Sequence, residues 1–254
     1  MAKYELLDNI THADLRIITD RAEQYGDKVG LVRTFPTEFA DIQREFPILF
    51  RKDSEEEGFY AVALLGLEKD ENLFLGDSGW SASYVPAILA KDAFVIGLTE
   101  EISGGDVHLE PMLHVDMENP RVSTTEGEAV FLKHGGNSPY IEKVGAILRA
   151  VHAGAEIAKT MYARYDELGL IAPVKMEITL NKDMKRTLAG FYTIDEEKLR
   201  ALDAESLYKL NSVGYLQGAY MIVASLANIK KLIDIKNARL MKEHNAAVEN
   251  VASN

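Results

Sequence analysis

The chain has 254 residues, with 28 lysines and arginines against 40 aspartates and glutamates, a formal net charge of −12 at pH 7. Such an acidic field repels phosphate backbones and anionic lipid surfaces, which argues against general nucleic-acid binding. The absence of cysteine rules out disulfides, thiolate nucleophiles and sulfur-ligated zinc, while 47% hydrophobic residues suffice for the core of one large domain.

The first residues carry Glu5 and Asp8 where a secretory signal needs an unbroken apolar stretch of about 7–15 residues. No apolar run approaches the ~18 residues of a membrane span, so a cytoplasmic protein without a membrane span is expected. The periodicity predicts strands at 12–18 and 29–32, with turn chemistry at Gly26 and Asp27 between them. Pro36 opens a predicted helix to Glu45, with Phe39, Ile42 and Phe46 on one stripe, and Pro47 ends it. Strands follow at 48–50 and 59–67, separated by the acidic linker 53–58. The second is apolar almost without alternation, as in a strand covered on both faces. Residues 72–75 are placed beside it.

From Ser138 the pattern turns helical. Ser138 can cap, Pro139 fits the first helical position, and one apolar stripe runs from Tyr140 to a stop at Gly169. Roughly thirty residues at 1.5 Å each predict a rod of about 45 Å. Residues 174–180 and 187–194 read as a hairpin whose first strand has one dry and one wet face. Asp195 and Asp203 are placed as helix caps. Breaks are expected at Gly214 and near Ser225, with helix to about Glu243 and a fraying polar tail over 244–254. The run Lys182-Asp183-Met184-Lys185-Arg186 reads as a solvated turn, since Asp183 interrupts its charge. The expected architecture is a single α+β domain, 1–243, with a strand-rich half (12–135) and a helix-rich half (138–243). A mixed or largely antiparallel sheet packs on the long helix, and the C-terminal helices, with Tyr215, Tyr220, Met221 and Ile222, offer surface for a homodimer seam.

Several segments, in order, resemble the SapC family. Phe46-Pro47-Ile48-Leu49-Phe50 matches its Y/F-P-I-V/L-F segment, and residues 59–67 with Glu71-Asn72-Leu73-Phe74 match its V-A-L-L-G-L…E-N-L-F core. Gly79-Trp80 with Tyr84-Val85-Pro86-Ala87 matches its W…Y-V/I-P-A motif. Val115-Asp116, Glu126-Gly127-Glu128 and Phe131 are similar to its acidic middle segment. Gly190-Phe191-Tyr192-Thr193-Ile194-Asp195-Glu196 matches G-F-Y-x-I-D-E. The resemblance covers about 10–235. After Y-V-P-A, relatives carry an arginine-rich L-R-R-Y-P-F, whereas this chain has Ile88-Leu89-Ala90-Lys91-Asp92-Ala93-Phe94, which puts any anion-binding role of those arginines in doubt here. The resemblance implies a link to bacterial envelope or nutrient-uptake systems.

Three sites stand out chemically. Trp80, the single tryptophan, with Tyr84 could stack on a ligand or partner peptide, or pin its loop to the core. Gly135, Gly136 and Asn137 lead into the long helix, where free N–H groups suit an anion, or form a plain turn. His114 and Asp116 have the H-x-D spacing of a facial triad, with His134 or His152 as distal ligand to iron(II). The alternative is an edge-strand histidine and a turn aspartate, with His152 a core residue. The paired acids Asp195-Glu196-Glu197 and Glu126-Gly127-Glu128 could do acid–base work, though Asp195 is better explained as a cap. Ser103-Gly104-Gly105-Asp106 reads as a loop. No catalytic residue or cofactor is assigned. The expected role is a non-catalytic accessory protein with a protein or peptide partner, the alternative being an oxygen-dependent non-heme iron enzyme.

Overall fold

The computed structural model describes residues 3–54, 58–103, 106–181 and 184–252. In chain order the first half contains β1 (Tyr4–Leu6), β2 (Arg16–Ile17), β3 (Leu31–Arg33), α1 (Phe39–Ile42), β4 (Ile48–Lys52) and β5 (Phe59–Leu64). Then come β6 (Leu75–Gly76), β7 (Gly79–Trp80), α2 (Ala87–Ala90), β8 (Phe94–Ser103), β9 (Asp106–Asp116), β10 (Val122–Ser123) and β11 (Glu128–Ala129). The second half holds α3 (Pro139–Glu167), β12 (Ile171–Leu180), β13 (Met184–Ile194), α4 (Glu196–Arg200), α5 (Ala204–Ser212), α6 (Tyr215–Ser225) and α7 (Asn228–Ala252).

The α+β expectation holds, and the pairings between these strands are antiparallel. The main sheet has the order β12-β13-β4-β5-β3. Ala61, Val62, Ala63 and Leu64 of β5 are all buried, as a strand covered on both faces requires. The predicted hairpin forms and joins this sheet through the pairing of Tyr192 with Phe50. The main sheet thus draws on both halves of the chain. Lys182 and Asp183 of its turn lie outside the described residues, as do Gly104 and Gly105 and the linker positions 55–57. Of the basic run, Arg186 on β13 stands 3.6 Å from Glu68.

α3 begins where the sequence placed it. Ser138 Oγ accepts the Ile141 N–H at 3.3 Å, Pro139 sits in the first turn, and Gly169 takes φ +65° just past the end. Its 29 residues give a rod of about 44 Å, and that length serves two cores. Ile141, Val144 and Leu148 pack with Leu15, Ile17, Phe94, Val115 and Val130 in a smaller core. Met161, Tyr162 and Tyr165 belong to a larger one with Phe39, Phe46, Phe50, Leu65 and Ile222.

Four local readings change. The strand expected at 12–18 shrinks to Arg16–Ile17, because Asp8 Oδ1 accepts the N–H groups of Ile10 and Thr11 and folds that stretch into turns. Residues 72–75 meet the end of the 59–67 segment in one backbone bond, Leu73 N–H to the Leu65 carbonyl at 2.8 Å, but form no strand beside β5. Asn72 Oδ1 instead accepts the Phe74 N–H at 3.0 Å and bends the chain toward the β6–β7 hairpin. Helix α7 runs to Ala252, beyond the expected end near Glu243, through good helix formers such as Ala246 and Ala247. Ile222 is fully buried, so it faces the core and not a seam, whereas Tyr220 is 47% exposed. Asp195 and Asp203 cap α4 and α5 as expected. Among the described residues no helix is long and apolar enough to cross a membrane.

Candidate functional site: a cleft beside the long helix

The structure engages Trp80 and Tyr84 with their own fold. Trp80 Nε1–H donates to the Tyr84 carbonyl at 3.0 Å, and its ring tilts against Phe46 and Phe74 at 6.3 and 6.2 Å. The Tyr84 hydroxyl donates to Glu38 Oε2 at 2.9 Å. Both residues fasten the 74–87 loop to the larger core, although each keeps a partly exposed face. Gly135 and Gly136, at φ +82° and +86°, form a turn in which the Leu132 N–H donates to the Gly136 carbonyl. Asn137 Nδ2 donates to Glu142 Oε1 at 2.7 Å. With Ser138 capping and the Glu142 carboxylate alongside, the start of α3 is satisfied by its own residues.

His114 lies on β9, the central strand of the β1-β9-β8 sheet rather than an edge. Its ring faces Gly97, where an added Cβ would come within 2.6 Å of the imidazole, and Nδ1 is 3.2 Å from the Met112 carbonyl. Asp116 Oδ1 is taken by the N–H groups of Lys3 and Glu118 at 3.1 and 3.2 Å. His134 is exposed in the turn before α3, and His152 is exposed on the helix instead of in the core. Among the described residues no three His, Asp or Glu side chains gather as a metal site would require, so the geometry supplies no distal ligand to His114 and Asp116. Glu126 and Glu128 are exposed around Gly127, whose φ of +91° lets the backbone pass close to Ile17.

Two polar clusters escape a reading of the sequence. The first is a buried charge network between the two cores. Arg121 Nη2 donates to Asp27 Oδ2 at 2.5 Å, and Arg21 Nη2 donates to Asp92 Oδ1 at 2.7 Å. The Tyr140 hydroxyl donates to Asp92 Oδ2 at 2.7 Å, and Arg21 Nη1 reaches Asp27 Oδ1 at 3.5 Å. Arg121 also donates to the carbonyls of Ile18 and Asp20, and Arg21 to that of Leu89. Asp27 and Arg121 are each 2% exposed. Two cations meet two anions, and all four carboxylate oxygens have donors, which makes burial of these charges tolerable. Burial and the Asp92 charge push the Tyr140 phenol far above its ordinary range, so it stays a donor. Asp92 adopts φ +51° in the segment that departs from the relatives' arginine-rich pattern. The network is closed.

The second cluster is open. A cleft of about 490 Å³ separates the middle of α3 from the edge of the main sheet at β3 and β5. It exists because α3 presents Ala155, Ala158 and Ala163 there, and three methyl groups cannot fill the gap to the sheet. Phe35 and Phe59 supply apolar wall. The Arg33 guanidinium lies 4.6 Å over the Tyr60 ring and forms no ion pair with a described residue. Lys159, at the rim, is held by Glu156 at 2.7 Å. Tyr162 is 4% exposed, its ring edge-on to Phe50 at 5.0 Å, and its buried hydroxyl has no hydrogen-bond partner. Burial raises its phenol well above the ordinary value, so the proton stays on. A neutral donor, an unpaired cation and aromatic walls can hold a ligand. Thr34, on the same lining, donates its hydroxyl to the buried Glu38 carboxylate at 2.8 Å.

No curated protein and no solved structure matches the chain. Residues 7–232 match SapC, and the chain belongs to the SapC family.

Proposed function

We propose that this chain is a non-catalytic accessory protein that binds a partner protein or peptide, and that the cleft beside α3 receives part of that partner. The observation that carries the reading is the contrast in polar satisfaction. The buried carboxylates of Asp27, Asp92 and Glu38 are committed to internal donors. The buried Tyr162 hydroxyl, by contrast, has no hydrogen-bond partner among the described residues, and the exposed Arg33 guanidinium at the mouth of the cleft is held by no carboxylate among them. The link of the family to bacterial envelope and nutrient-uptake systems suggests where such a partner belongs.

Native mass spectrometry on protein purified gently from its own host tests this, comparing the parent with Ala158→Trp, which fills the cleft. A co-purified polypeptide is expected on the parent and not on the variant, with equal helical content by circular dichroism. A polypeptide retained after the cleft is filled, or stoichiometric iron with none bound, defeats the reading.

A further inference from the structure

We infer that the cleft is a carboxylate site, which takes an acid carried on an apolar or aromatic body, with the Arg33 guanidinium as counter-ion and the Tyr162 hydroxyl as the buried donor. The inference rests on the binding role proposed above and names the group recognised there.

Four features of the cleft select this chemistry. Arg33 is already stacked on Tyr60, which orders the planar guanidinium while leaving its N–H edge free, and that edge matches a carboxylate in two parallel hydrogen bonds. The Tyr162 hydroxyl is buried without a partner, and buried polar groups left unsatisfied are rare in folded proteins. An acceptor oxygen brought in by a ligand removes that defect. The alanines of α3 and the two phenylalanines leave apolar volume beside the polar groups, within the roughly 300–1,000 Å³ typical of small-molecule sites. Charge sets the valence. Lys159 is held by Glu156, and Asp166 on the same lining offsets Arg33 in the count, so these four groups sum to zero and of them Arg33 is the single cation that no carboxylate holds in an ion pair among the described residues. That balance suits a monoanion and opposes a phosphate dianion. The carboxylate could belong to a free small acid, or to the side chain or C-terminus of a bound peptide.

The test uses the full chain and titration calorimetry with 4-phenylbutyrate and its uncharged amide. The acid is expected to bind and the amide not. Tyr162→Phe removes only a hydroxyl that has no partner, so it should fold as the parent does, and it is expected to weaken the acid about tenfold, the worth of one hydrogen bond to a charged group. Arg33→Met is expected to abolish binding. Equal binding of acid and amide, binding of neither, or acid binding indifferent to both substitutions overturns the assignment. A second arm compares a short phenylalanine-ending peptide with free and amidated C-termini. Preference for the free peptide terminus over phenylbutyrate identifies a peptide source, the reverse a small acid, and either supports the site. Acid binding by a protein that carries no polypeptide from its host would sink the partner reading alone. A polypeptide lost on filling the cleft, yet insensitive to Arg33→Met and Tyr162→Phe, would sink the carboxylate assignment alone.

Discussion

The buried network around Arg121 and the cleft around Tyr162 hold the same kinds of groups, arginine, aspartate and tyrosine, in opposite states of completion. At the network, Arg21, Arg121 and Tyr140 satisfy every oxygen of Asp27 and Asp92. At the cleft, the exposed Arg33 rests on an aromatic face, and the buried Tyr162 hydroxyl has no hydrogen-bond partner among the described residues. Burial alone therefore says little about role. A buried polar group whose partners lie within the chain holds the chain together, and one whose partners are missing needs either a ligand or an explanation.

The contrast breaks most visibly at Arg121. Arg121→Met leaves Asp27 buried with one distant guanidinium at 3.5 Å, and loss of one member of a buried ion pair costs about 3–5 kcal/mol. Urea denaturation is expected to show a loss of that size, partly recovered in the double variant Arg121→Met/Asp27→Leu, where the stranded charge is gone. A loss below about 1 kcal/mol, the scale of an exposed pair, would mean that water reaches the network.

The long helix was legible because its signals are local: a serine, a proline and a glycine at the right offsets, with one apolar stripe between. The hairpin and the caps at Asp195 and Asp203 were legible for the same reason. The network was not, because Asp27 and Arg121 lie 94 positions apart and Arg21 and Asp92 lie 71 apart, and no spacing rule links residues brought together only by the joining of two cores. The cleft was hidden differently. Arg33 lies just past the strand predicted at 29–32 and carries no signal of its own, Tyr162, Ala155 and Ala158 read as members of one helical stripe, and only the position of the β3–β5 edge makes a gap of them. In the other direction, Trp80 and the His114–Asp116 pair looked chemical by residue type, yet the fold uses them to close a loop and the end of a strand.

Glu38 stands between the two states, since it has donors but no cation. Its oxygens accept from the Thr34 and Tyr84 hydroxyls and the Ala87 N–H at 2.8, 2.9 and 2.9 Å, and burial holds its carboxyl above the ordinary 4.5. A group whose folded pKa is raised contributes stability that is fully present below the unfolded value and is lost as pH rises through the folded one. Glu38→Gln keeps an oxygen for the Ala87 N–H and turns its amide to the Thr34 hydroxyl, which must then accept instead of donate, so near pH 4.5 it is expected to cost about 1.5 kcal/mol, the upper end of what one rearranged hydrogen bond is worth. The gap to the parent should narrow as pH rises, because only the parent must ionise a buried acid. Urea midpoints for both proteins between pH 4.5 and 8 check this, and a gap that widens with pH would reverse the assignment of Glu38 as an acid strained by burial.

The smallest expected effect is also the one that separates the two clusters most cleanly. In the network, a hydroxyl with a partner should be missed, and Tyr140→Phe, which strips a donor from buried Asp92, is expected to destabilise. In the cleft, Tyr162→Phe removes an oxygen that was taken out of water and given nothing in return, while keeping the edge-on contact with Phe50. The unliganded variant is therefore expected to gain about 1 kcal/mol, the lower end of the penalty for a buried unsatisfied group. Stability gained at the expense of ligand affinity is the pattern of a residue kept for binding. If Tyr162→Phe instead loses stability to the same degree as Tyr140→Phe, the Tyr162 hydroxyl already has a partner inside the protein, and the distinction between a closed network and an open cleft falls.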